Sequence, residues 1–268
     1  MPGPEARDRA DDLSLIEQAV RAAGDIARRY YGGSYKRWSK NKGEPVTEAD
    51  LEIDRYLHDT LLEARPAYGW ISEEGENRDG AERLFMVDPI DGTTAFLKEK
   101  PYFSISVAVI EGGAPVTGVV FNPIKDECFT AQAGDGSRLN GQPLHVSACG
   151  AVEGCRILGA KDMFAHAFWS EAPNIPWPAM AVEQRNSVAY RMALVAAGHF
   201  DAALVLSAKH DWDMAAGDLI VREAGGSVTT HDGASLHYGS ASALQRSMVC
   251  AGPVLHALLL ERLRHITL

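Results

Sequence analysis

Residues 84–98 read LFMVDPIDGTTAFLK. Leu84, Phe85, Met86 and Val87 form an apolar run of the kind that makes a buried strand. The run ends in two aspartates, Asp88 and Asp91, with Pro89 and Ile90 between them. A strand end needs a polar residue, but one acid is enough. Two carboxylates this close repel unless something positive stands between them, and a divalent cation is the simplest candidate. A ligand set made only of oxygen, without His or Cys, suits Mg²⁺ or Mn²⁺ better than zinc. Pro89 fixes the turn so that the Ile90 carbonyl can also face an ion. Gly92, Thr93 and Thr94 then bring small residues and free N–H groups to the start of a helical turn, a ready site for an anion.

Outward from this stretch the chain alternates helices and strands. Ile16, Ala19, Val20, Ala23, Ile26, Ala27 and Tyr30 recur at helical spacing and predict an amphipathic first helix stopped by Gly32-Gly33. A second helix is expected from about Thr47, with Leu51, Leu57 and Leu61 on one face. YGWIS (68–72) reads as a strand. SISVAVIEGGAPVTGVVFNP (104–123) reads as two strands about a Gly-Gly turn, and residues 126–147 as further hairpin material. Past that point the pattern gives a helix over 187–198, a strand in FDAALVL (200–206), a helix over 213–224 and a closing helix over 254–264. We therefore expect two halves in one compact unit, residues 1–148 and 149–268, of the α+β class. No repeat or Pro/Ser-rich linker separates them.

The other acids also sit at element ends. Asp50 lies in the first turn of the second helix, Glu73 and Glu74 follow a strand, and Asp213 opens a helix. Each has a plain structural alternative. Thr47-x-x-Asp50 is a capping box, Glu73-Glu74 a solvated loop, and Asp213 a partner of the helix dipole. Taken together with Asp88 and Asp91, they describe a metal-assisted phosphoryl hydrolase. The D-x-x-D-G-T spacing is one residue too long for the D-x-D-x-T motif of aspartyl-phosphate enzymes, so the expected nucleophile is water. Cys149 and Arg156 are one residue too far apart for a C-x5-R phosphatase loop.

The chain has 268 residues, 46% hydrophobic and 23% charged, enough for a substantial core. A formal charge of −10 argues against binding a nucleic-acid polymer. The first residues do not form a signal peptide and no apolar run is long enough to span a membrane, so a cytoplasmic protein without a membrane partner is expected. Cys128, Cys149, Cys155 and Cys250 form no C-x-x-C pair and read as reduced thiols.

DPIDGTTAF, with GEPVTEAD, SEEGE, GDGSRLNGQPLHVS and DWDMAAGDLIVREAGG, resembles the inositol monophosphatase family of Mg²⁺-dependent, Li⁺-sensitive phosphomonoesterases. The likeness runs in order along nearly the whole chain and leaves only about 160–185 without a counterpart. It implies the layered αβαβα sandwich shared with fructose-1,6-bisphosphatase, a homodimer, and a small phosphorylated metabolite as substrate. By the resemblance, Glu73, Asp88 and the Ile90 carbonyl hold one Mg²⁺, and Asp88, Asp91 and Asp213 a second. Glu73 serves a third, weaker ion that Asp50 orients; Mn²⁺ is a possible substitute. Thr93, with Glu73 and Asp50 as the other catalytic residues, holds and helps deprotonate the attacking water. The Gly92 and Thr93 amides grip phosphate. Asp91, Leu206 and Lys209 complete the substrate-binding set, and Lys42 or Lys40 matches a basic residue near the third ion.

Two departures bear on the substrate. Ala95 stands where the family's motif has asparagine, a position that supports the loop. Inositol monophosphatases proper carry a glutamate six residues before the Trp of the Trp-Asp pair; here a count back from Trp212 reaches Leu206. An apolar side chain there leaves polyol hydroxyls unpaired. Lys209, His210, Arg185 and Arg191 could instead meet a second phosphate, as in 3′(2′),5′-bisphosphate nucleotidases acting on 3′-phosphoadenosine 5′-phosphate; the plain alternatives are a solvated loop for Lys209 and His210 and a helix face for Arg191. A regulatory, protein-binding role with secondary catalysis is the alternative of another class. Trp169 and Trp177 either shape the substrate mouth or pack. Replacing Asp91 by Asn is expected to abolish hydrolysis with the fold intact.

Overall fold

The computed structural model describes residues 4–39, 45–78, 82–165, 176–240, 242–263 and 266–268. Trp169 lies outside them. In chain order the elements begin with α1 (Pro4–Tyr30), the short pair β1 (Arg37–Ser39) and β2 (Pro45–Thr47), and α2 (Glu48–Ala64). Then come β3 (Gly69–Ser72), β4 (Arg83–Asp91), α3 (Thr93–Leu97), β5 (Ser104–Glu111), β6 (Ala114–Asn122), β7 (Glu127–Gln132), β8 (Gly136–Leu139) and β9 (Gln142–Pro143). The remainder holds β10 (Arg156–Leu158), α4 (Lys161–Ala165), β11 (Ala181–Glu183), α5 (Val188–Ala196), β12 (Ala202–Val205) and β13 (Lys209–His210). A 3₁₀ turn (Asp211–Asp213) leads into α6 (Ala215–Glu223), β14 (Ser227–Thr229), β15 (Leu244–Gln245), β16 (Met248–Ala251) and α7 (Pro253–Leu263).

The strands β3 to β9 form one sheet in sequence order. Every neighbouring pair is antiparallel except β3 and β4, which run parallel; β4 and β5 are joined through α3, and the later pairs by short turns. The second sheet has the order β11-β10-β12-β16-β14, parallel across its first three strands and antiparallel after.

Side-chain alternation then decides the layers. Along β4, Phe85 and Val87 face a core with Ile16, Val20, Ala23, Ile53 and Leu57 of α1 and α2, whereas Met86 faces the opposite side, against α5 and α6. The α5–α6 core also takes in Ala203 and Val205 of β12 and Met248 and Cys250 of β16. Ala202, Leu204, Val249 and Ala251 point the other way, onto Leu255, Leu259 and Leu263 of α7. The order is helix, sheet, helix, sheet, helix, the expected αβαβα sandwich.

Some local expectations change. Leu51 is 41% exposed, and the inward face of α2 carries Ala49, Asp50, Ile53, Asp54, Leu57 and Leu61. Two acids occupy that face, a placement periodicity assigns to apolar residues. The helix expected over 213–224 breaks at Met214 into the 3₁₀ turn and α6. The strand expected to stop at Asp88 runs through Pro89 to Asp91, with irregular register between Asp88 and Asp91. Trp177 packs, its ring 5.2 Å from Phe164 and under the Arg262 guanidinium at 5.4 Å. The strands β10, β11, β14 and β16 are too short to show in the sequence pattern.

The edge strand β3 carries an extra bridge: Trp70 N donates to Arg78 O at 2.7 Å and Arg78 N to Trp70 O at 2.8 Å. On the far side of the sheet, β6 lets α6 approach closely through Gly118, where a Cβ would lie 3.0 Å from the Ala216 Cα. Because that neighbour is backbone, Gly118→Val should destabilise the protein by about 1–3 kcal/mol, read as a lower urea midpoint at unchanged slope.

Candidate active site

The end of β4 is the centre of the site. Asp88 and Asp91 are 1% and 5% exposed, yet each is a carboxylate. With Asp213, half-buried at the end of the 3₁₀ turn, they offer oxygens that lie within 4.8 Å of one another. Asp88 Oδ1 is buried without a hydrogen-bond partner. A buried, unpaired carboxylate oxygen is costly, and the two neighbouring carboxylates of Asp91 and Asp213 cannot relieve it. An all-oxygen donor set with such an orphan fits a hard divalent cation.

Asp50 reaches the same region from α2. Its Oδ2 accepts from Thr47 N at 2.8 Å and from Thr47 Oγ1 at 2.5 Å, while Thr47 Oγ1 accepts from Ala49 N and Asp50 N, closing a full capping box. Its other oxygen faces Thr93, whose Oγ1 stands 3.4 Å from Asp50 Oδ1 and 3.1 Å from the Ile90 carbonyl. One oxygen of Asp50 thus completes the helix cap, and the other is left to face Thr93. Glu73 lies just past β3, its N–H bonded to Val87 O of β4 at 3.2 Å. Its carboxylate is outside the tight group of three but presses electrostatically on Asp88, Asp50 and Asp213. The loop is pinned from α2, where Asp54 accepts from the Ser72 hydroxyl.

Asp91 has a second set of partners that the sequence did not suggest. Ser187 Oγ donates to it at 2.6 Å, Val188 N at 3.1 Å and Ala189 N at 2.6 Å. The start of α5 is thus aimed at a carboxylate on another sheet, the arrangement its dipole favours. Gly92 sits against this junction: its φ is +94°, and a Cβ would come within 2.9 Å of Ser187 N. Only glycine satisfies both conditions. Ser187 was not a candidate from sequence, because a serine before an apolar helix looks like an ordinary N-cap. It is one, bonding Tyr190 N as well.

The inositol monophosphatase family model matches residues 8–268. The chain belongs to that family. Its members are metal-dependent phosphoric monoester hydrolases, and this chain is one of them. An inositol-1-monophosphatase of Rhizobium meliloti is 37% identical over 82% of this chain and 86% of its own length. The Nus factor SuhB of Escherichia coli is 31% identical over 82% of this chain and 85% of its own. The crystal structure of the extragenic suppressor protein suhB from Bartonella henselae superposes with a TM-score of 0.80 at 30% identity, covering 95% of this chain and 98% of that one.

For a phosphatase of this family the residues expected to bind substrate are placed unevenly. Lys209, on β13, is close enough for its charge to favour the ionised form of Asp213, whose Oδ2 accepts from His210 N at 3.0 Å. Leu206 instead packs against the α7 core and lines a cavity of about 360 Å³ with Met163, Ser207 and Leu268. Arg185 already has partners, its guanidinium lying 3.9 Å from the Tyr102 ring centroid and bonding Glu183 at 2.7 Å. Arg191 is buried beneath the site. Ala95 is fully buried in α3 and fills the core under the loop. Lys40 and Lys42 lie outside the described residues.

Burial dominates the titration of the acids. It raises Asp50 to about 6 against the bonds from Thr47, and it lifts Asp88, Asp91 and Asp213 well above the carboxylate range, with mutual repulsion adding to the rise in Asp88 and Asp213. Folded values above unfolded ones mean that protonation favours the folded state. That stability is full below about pH 4 and lost as pH rises through about 6 to 7 in the metal-free protein. A bound cation replaces the lost protons. The gap in melting temperature between protein with saturating Mg²⁺ and protein in EDTA should therefore widen from about pH 5 to about pH 7; thermal melts across that range check it.

Proposed function

We propose that the chain hydrolyses the phosphate monoester of a small metabolite with Mg²⁺, Mn²⁺ serving as a substitute. The observation that carries this reading is the convergence of the Asp88, Asp91 and Asp213 carboxylates, with Asp88 Oδ1 buried and unpaired. In it, Asp88, Asp91 and Asp213 hold one ion, and Glu73, Asp88 and the Ile90 carbonyl another. When bound, such ions polarise phosphoryl oxygens, neutralise charge on the leaving oxygen and make water more acidic.

The chain's own residues orient the water and manage its proton. Thr93 Oγ1 has two acceptors, Asp50 Oδ1 and Ile90 O, for its single hydrogen. Donating to Asp50 leaves its lone pairs free to receive the proton of a water in line with phosphorus. Asp50, raised by burial to about 6, is basic enough near neutrality to accept the relayed proton, and Thr47 fixes its orientation. The Gly92 and Thr93 N–H groups meet the phosphate at the loop that α5 supports.

An inositol monophosphate is the substrate favoured by the Rhizobium meliloti relative's name. The competing substrate is a 3′,5′-bisphosphate nucleotide, favoured by Lys209 at the edge of the acidic group. A purely protein-binding role, suggested by the Nus factor relative, would leave the buried Asp88 oxygen without a purpose.

Phosphate release from inositol 1-phosphate and 3′-phosphoadenosine 5′-phosphate, with Mg²⁺ and with EDTA, tests the reading. We expect Mg²⁺-dependent turnover of at least one; none from either substrate refutes this choice of substrates. Asp213→Asn should lower kcat by at least about a hundredfold while the melting temperature in EDTA holds or rises, because Asn keeps the acceptor for His210 N and removes one of three repelling charges. Asp91→Asn is a poorer test than the sequence implies, since three donors converge on Asp91 and an amide offers them one oxygen. Wild-type turnover in Asp213→Asn would overturn the metal assignment.

A further inference from the structure

Arg191 occupies an unfavourable position by ordinary rules. It is 8% exposed and lies in the first turn of α5, at the positive end of the helix dipole. Burial penalises a guanidinium and a helix N-terminus repels it, so negative charge must face it. The structure supplies that charge across the layer boundary. Arg191 Nε donates to Ser187 O at 3.2 Å, and Ser187 Oγ donates to Asp91 at 2.6 Å. Asp91 and Asp213 are the carboxylates whose charge supports its ionised form against burial. In return, Arg191 favours the ionised form of Asp91, and Lys209 does the same for Asp213 from the half-buried side.

The bonds described for Asp91 come from Ser187, Val188 and Ala189. Arg191 acts on it as a nearby charge, fixed by the helix that also supplies those donors. A cation held behind an acidic group has two opposite effects. It lowers the cost of keeping the carboxylates together when nothing else is bound, and it subtracts from the attraction they exert on an incoming divalent ion.

We propose that Arg191 is a positioning residue: a resident counter-cation that keeps the metal-free carboxylate cluster folded and weakens its affinity for divalent metal. The inference rests on the reading that Asp88, Asp91 and Asp213 hold a metal ion. It makes the site one that releases its ion readily, since part of the neutralising charge belongs to the protein.

The test compares wild type with Arg191→Met, which removes the charge at similar length, and Arg191→Lys, which keeps it. Mn²⁺ binding is measured by calorimetry, and melting temperature is measured in EDTA and in saturating Mn²⁺. Arg191→Met should bind Mn²⁺ more tightly, on the order of tenfold, while melting lower than wild type in EDTA. Arg191→Lys should stay near wild type in both. A side chain needed only for packing would lower the melting temperature without tightening Mn²⁺ binding, so an unchanged or weaker affinity in Arg191→Met overturns the proposal.

If Arg191→Met does not fold without metal, the double variant Asp213→Asn with Arg191→Met, which removes one charge of each sign, decides. Recovery of the metal-free fold supports charge compensation, and failure to recover overturns it. A wild-type protein that binds no Mn²⁺ overturns the metal reading and this inference together. Tight wild-type binding with no tightening in Arg191→Met overturns the inference alone.

Discussion

The hydrogen bonds that Asp91 accepts from Ser187, Val188 and Ala189 tie the structure together. They join the end of β4, the strand that presents the acids, to the start of α5, the helix that separates the two sheets. Other polar contacts also cross between the first sheet and the middle helical layer, among them Ser104 with Ser187 and the Gly134 and Gly136 N–H groups donating to Glu223. But three donors converge on Asp91 at the site itself, where apolar packing alone does not set positions to a fraction of an ångström. With them, one carboxylate fixes the orientation of a helix, the helix fixes Gly92 from the other side, and Gly92 sets where Thr93 points. A family of phosphatases needs such a chain of positions because its site is assembled from elements far apart in sequence.

The same side chains carry stabilising and destabilising roles. Asp50 completes the cap of α2 with one oxygen and faces Thr93 with the other. Asp88 has no such compensation for Oδ1. The cluster as a whole is therefore a local liability in the folded chain, tolerated because its surroundings are over-determined by packing on both faces of the sheet.

Much of this was readable in the sequence. Asp88 and Asp91 could be recognised because two acids after an apolar run have no structural justification. Asp50 and Asp213 gained meaning only beside them, since each alone is a normal helix-start residue. The long elements α1, β4, β5 and β6, which dominate the core, followed from strand and helix periodicities, whereas the layered order was implied by the resemblance to the family and not by spacing. In the second sheet β12 was readable in FDAALVL, but β10, β11, β14 and β16 were not, because three or four residues carry too little pattern to distinguish from loops. Ser187 was missed, and Arg191 left open between a phosphate partner and a helix-face residue, for a different reason. Their roles depend on what α5 faces across the layer boundary, and no spacing rule within the helix encodes a partner on another sheet.

The bridge between Trp70 and Arg78 has a further effect away from the chemistry. The strand β3 is one outer border of a seven-stranded sheet, where open N–H and C=O groups would invite another chain to add itself. Arg78 folds back onto the middle of that border and uses the Trp70 groups in both directions. The loop that carries Glu73 thereby caps its own sheet, and the part of the molecule that must stay open to small ligands is kept from recruiting a neighbour's strand. One turn of the backbone thus closes part of the sheet edge that lies next to the acidic site.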